Sequence, residues 1–86
     1  MIREELESAR KELPTKTKSM IEYETAAKWG ARAVAAWELY KSTGLMSWFM
    51  YFVEFRHEAT EHAAEAFPGT LERVRAELDE LMGVGK

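Results

Sequence analysis

Tyr40-Lys41-Ser42-Thr43-Gly44-Leu45-Met46-Ser47-Trp48 is the stretch on which the fold turns. Gly44 is the only glycine between two long helical patterns, and glycine just past the last periodic residue is the ordinary helix stop. Upstream, Tyr23, Ala26, Gly30, Ala33, Val34, Trp37 and Tyr40 recur at three- and four-residue steps, the period of a helix with one apolar face. Downstream, Leu45, Trp48, Phe49, Phe52, Phe55, Ala59, Ala63 and Ala66 do the same. A connection of three or four residues makes two such helices antiparallel neighbours. The reading is a helical hairpin, with helices over about 19–42 and 47–67 and Ser19 as the first N-cap. Ala26, Gly30 and Ala33 form a line of small residues, which predicts a closely packed partner helix.

Shorter helices flank the hairpin in this reading. Ile2, Leu6, Ala9 and Leu13 share a side of a segment over 2–13 that Pro14 ends. After Pro68-Gly69, Leu71, Val74, Leu78 and Leu81 repeat at near-heptad spacing over 70–82. No alternating β pattern occurs. The fold class is all-α, a single domain over residues 1–86: a long antiparallel helical hairpin with short flanking helices, associating into a helical bundle.

Composition removes whole classes of function. The chain has no Cys, which excludes disulfides, thiolate zinc sites and cysteine nucleophiles. A net charge of -3 repels nucleic acid and acidic membrane. The apolar run from Leu45 to Phe55 is about half the roughly 20 residues that span a bilayer. The start of the chain turns charged at once and carries no apolar leader core, so a soluble, cytoplasmic protein is expected. Asn and Gln are also absent. That matches the depletion of thermolabile residues in heat-adapted proteins, and equally an Ala-rich, high-GC genome.

The apolar content is too large for one hairpin. Three Trp, four Phe, three Tyr and five Met occur in 86 residues, while a chain this short buries only about 60–65% of its extended surface. Met46, Met50, Val53 and His57 form a second strip, set round the helix from the Phe52–Ala59 side. Left bare, that surface invites aggregation. The expectation is therefore self-association into a homodimer or higher oligomer through Trp48, Phe49, Met50, Phe52 and Val53. The function expected is that of a small non-enzymatic structural or partner-binding unit, without a cofactor.

Any chemistry has to come from Glu54-Phe55-Arg56-His57-Glu58-Ala59-Thr60-Glu61-His62-Ala63-Ala64-Glu65, which holds both histidines. Glu54-x-x-His57 resembles the Glu-x-x-His motif of ferritin-like proteins, which places two metal ligands on one helix face. An antiparallel hairpin sets Glu24 level with Ala64 and Glu65. The candidate ligand pool is thus Glu24, Glu54, His57, Glu58, Glu61, His62 and Glu65, a donor set suited to iron or manganese. His57-Glu58-Ala59-Thr60-Glu61 and Glu77-Leu78-Asp79-Glu80 resemble the paired acidic motifs of MazG-like pyrophosphatases. That resemblance implies Mg²⁺ held between two adjacent helices and cleavage of a nucleoside triphosphate between its α and β phosphates. The plainer reading is that glutamates at three- and four-residue steps are the solvated side of a helix.

Overall fold

The computed structural model describes residues 16–83. The expected helix over 2–13 and the chain from 84 lie outside the described residues. Three helices follow one another: α1 (Lys18–Thr43), α2 (Met46–Ala64) and α3 (Thr70–Leu81). Among the described residues there is no strand.

Local chemistry sets the helix ends. The N-cap of α1 is Thr17, not Ser19: the Thr17 hydroxyl accepts the Met20 N–H at 3.2 Å. Its C-cap is Gly44, left-handed at φ 73, whose N–H donates to the Tyr40 carbonyl at 2.7 Å. Thr43 locks the turn from within. Its hydroxyl donates to the Leu39 carbonyl at 2.6 Å and accepts the Leu45 N–H at 3.2 Å. α2 stops at Ala64, three residues before the Phe67 expected from periodicity, because Pro68 disfavours helical backbone in the residue before it. Gly69, at φ 89, then opens α3.

α1 and α2 pack along a seam at alternating four- and three-residue steps. On α1 it is Glu22, Ala26, Trp29, Ala33, Ala36 and Tyr40; on α2 it is Trp48, Phe52, Phe55, Ala59 and His62. This spacing keeps one line of each helix against the other. Ala26, Ala33, Ala36, Ala59 and Ala63 are all at or below 1% exposure, so small side chains carry the contact and let the backbones approach. Gly30 does not belong to it, since a Cβ built there meets nothing within 4 Å.

Large rings fill the end of the seam nearest the turn. Phe52, the largest fully buried side chain, lies 5.1 Å from the Trp37 ring, and Tyr40 sits 5.4 Å from Phe49. A second series runs Trp48–Tyr51–Phe55–Trp29 at 5.6, 5.8 and 5.6 Å, with the Arg32 guanidinium 4.7 Å from the Trp29 ring centre. Each such pair adds about 0.5–1.5 kcal/mol beyond its buried area.

α3 lays Val74, Leu78, Leu81 and Met82 against the cluster of Ala33, Ala36, Phe52 and Ala59. An ion pair between Arg56 on α2 and Asp79 ties it in place. The core therefore has an α1–α2 seam capped by a short third helix. Leu45, expected in that core, is 56% exposed instead, because it precedes α2 as its N-cap.

Candidate functional site

Glu22 occupies the seam position one turn before Ala26, and His62 the one after Ala59. The hairpin thus brings a carboxylate and an imidazole together where apolar residues would otherwise meet. Their contact is 2.6 Å from His62 Nδ1 to Glu22 Oε2, with both side chains partly shielded. Glu58, one turn earlier on α2, stands 3.8 Å from Nε2 on the other side of the ring. The imidazole is hydrogen-bonded to Glu22 through Nδ1, with the Glu58 carboxylate on its Nε2 side beyond hydrogen-bond distance. Glu22 thus fixes the ring orientation, and the three groups do not converge on a common centre.

Glu24, expected level with Ala64 and Glu65, does not join the acidic stretch of α2. It is paired with Lys16 at 2.8 Å. Glu22 takes its place because two residues are 200° of helix, which turns Glu24 away from the seam. The signal that finds Glu22 is its register, four residues before Ala26 in a run of four- and three-residue steps. An apolar-face reading passes over a polar residue in such a run.

The rest of the acidic stretch is dispersed. His57 Nε2 contacts Glu61 Oε1 at 3.3 Å on an exposed turn, and Glu65 is 3.8 Å from Lys18. Glu54 lies with Glu58 and His57 on the rim of an open groove of about 620 Å³, floored by Trp29, Val53 and Phe55. Among the described residues, no three His, Asp or Glu side chains form a group able to hold a metal ion. The two MazG-like acidic stretches are not opposed either. The α2 residue that reaches α3 is Arg56, and it holds Asp79; Glu58, two residues on, points about 160° away from it.

The other feature of α2 is its outward line. Met46 is 60% exposed, Met50 62% and Val53 49%. They lie at four- and three-residue steps that continue to His57, about 140° round the helix from Phe52 and Ala59. α2 is thus apolar on two opposite sides, one packed and one bare. Phe52, expected at a contact between copies, is 1% exposed and belongs to the protomer's own core. Trp48 and Phe49 are half-buried against that same core. Met50 and Val53 remain on the surface, with Met46, Leu45 and Tyr51 beside them. A smaller groove of about 240 Å³, lined by Ser47, Met50, Tyr51 and Glu54, adjoins the larger one.

Comparisons of the chain with protein-family models, with curated proteins and with solved structures give no match. No helix among the described residues is long and apolar enough to cross a membrane.

Proposed function

We propose that the chain works as a non-enzymatic helical unit that associates with further copies of itself through the outward line of α2. The observation that carries this reading is the bare row Met46, Met50 and Val53, at 60%, 62% and 49% exposure, opposite a packed side of the same helix. Leu45 and Tyr51 extend the exposed apolar surface at its edges, and contiguous exposed apolar surface is where proteins make contacts. A stable interface buries about 800 Å² on each partner, which this row can reach only together with its polar rim. Aggregation is the cost of leaving it uncovered.

This line points away from α1. Docking on it sets the α2 helices of two copies side by side at the centre, with each α1 outside. A bundle of that kind is a structural or scaffolding element, and its only chemistry is the recognition of its own surface.

The test is the mass in solution by light scattering or sedimentation, at micromolar to hundred-micromolar concentration. A multiple of the 9.9 kDa chain is expected, reverting to one chain when Met50→Glu and Val53→Glu are combined. A wild-type monomer across that range sinks the reading.

A further inference from the structure

We infer that residues 2–13 of the chain dock as a helix along the flank of the hairpin opposite α3. There they lay Ile2, Leu6, Ala9 and Leu13 over Trp29 and Phe55 of the same chain. This flank is separate from the outward line of α2, so the docking stands or falls independently of self-association.

α3 covers one flank of the α1–α2 seam, where it meets Phe52 and Arg56. On the other flank, the rings of Trp29 and Phe55 lie 5.6 Å apart, half-buried, in the open groove of about 620 Å³. Ile21, eleven residues before Arg32 and so on the same side of α1, extends this apolar ground at 49% exposure. Among the described residues no helix lies on it. Its two walls are opposite in charge. Glu54 and Glu58 stand on the α2 side. Lys28 and Arg32 stand exposed on the α1 side, with Arg32 over the Trp29 ring. The Trp29–Phe55 contact sets the register, and all four charges fall within two turns of one level.

Residues 2–13 match this flank in length, polarity and charge. Their apolar residues recur at four- and three-residue steps. Twelve residues of helix are about 18 Å long, enough to run from the first turn of α1 to the level of Trp29. Residues 14–16 make a connector of the length that joins antiparallel helices. Leu13 then lies beside the start of α1, and the segment runs antiparallel to it. Arg3 and Arg10 stand on one side of the apolar stripe and Glu5 and Glu12 on the other, each about 60–100° round from its centre. Glu4, Glu7, Ser8 and Lys11 are left on the outer side. A right-handed helix running in this direction turns its arginines toward Glu54 and Glu58 on α2. Its glutamates turn toward Lys28 and Arg32 on α1. The opposite direction would set like charge against like.

The absence of cysteine makes the test clean. In the full chain, Ala9→Cys is combined either with Thr25→Cys, on the side of α1 that faces the docked segment, or with Ala27→Cys, at nearly the same level but about 160° round the helix. Chains of unchanged helicity are oxidised mildly at low concentration, and free thiols and covalent mass are followed. The Thr25 pair is expected to close a disulfide within one chain, many times faster than the Ala27 pair. Adding Arg3→Glu and Arg10→Glu to the Thr25 pair should slow closure several-fold, and Glu54→Arg with Glu58→Arg should then restore it. Equal rates for the two pairs, or closure in neither, overturns the docking. Links formed only between chains overturn docking on the same chain and make the occupant a second copy's segment. Closure indifferent to the charge reversals overturns the direction in which the segment lies. None of these results bears on the mass in solution, which tests self-association by itself.

Discussion

His62 Nδ1 lies 2.6 Å from Glu22 Oε2 across the seam of the hairpin, at the end farthest from the Gly44 turn. The pair therefore closes the open end of a contact that alanines make over most of its length. Its energetic weight follows from its setting. Both side chains are partly shielded, and a hydrogen bond there contributes roughly 0.5–1.5 kcal/mol net. Removing Glu22 alone leaves the imidazole facing an apolar seam, whereas replacing both partners leaves nothing unsatisfied. Chemical denaturation is expected to show a loss of about 1 kcal/mol for Glu22→Ala. For Glu22→Leu with His62→Leu it should show stability at or above wild type, because a seam position prefers an apolar residue. A double variant weaker than Glu22→Ala would contradict the seam assignment.

Two glycines give effects of opposite sign. Gly30 lies within α1, where a Cβ meets nothing within 4 Å, so Gly30→Ala only removes backbone freedom. It should raise stability by about 0.5–1 kcal/mol, read as a melting temperature higher by several degrees in a domain of this size. At Gly44 space is equally open, but φ is 73. There an L side chain is strained, so Gly44→Ala should lower stability by about 1 kcal/mol.

How much of this was legible in the sequence differs from element to element. Gly44, Pro68-Gly69 and the helical period mark three helices to within three residues at their ends, because turns and helix stops are local chemistry. The line of alanines likewise foretells a close helix contact. Glu22 is invisible to that reading. A carboxylate scores as surface until the partner helix fixes the register, and Glu24, two residues on, is turned away from the seam. The two sides of α2 were separable by period, yet Phe52 and Met50 look equally suited to an interface. Only packing against Trp37 separates them.

Arg56 and Asp79 join α3 to the hairpin, and the Arg56 Nε is buried without a hydrogen-bond partner among the described residues. The guanidinium thus depends on Asp79 for its compensation. Asp79→Ala should cost about 1–2 kcal/mol, with the loss concentrated in α3. Hydrogen exchange reads this directly: amides of α3 should lose protection while those of the Ala33–Ala36 segment keep it. Uniform loss along the chain would mean that α3 and the hairpin open as one unit.

Phe52 and Met50 are two residues apart on α2 and should respond in opposite ways to protein concentration. Phe52 is enclosed at 1% exposure, so Phe52→Ala removes a filled core site at a cost of about 3–5 kcal/mol, whatever the concentration. Met50 is 62% exposed and contributes little to the isolated chain. Under self-association, folding is linked to assembly by mass action, and the melting temperature climbs with protein concentration. Wild-type protein should show that climb over a hundredfold concentration series. Met50→Ala with Val53→Ala should flatten it while matching wild type at the most dilute point. Phe52→Ala should lower the whole curve and keep its slope. A flat wild-type series would separate the bare line of α2 from the stability of the protein and count against its role as an interface.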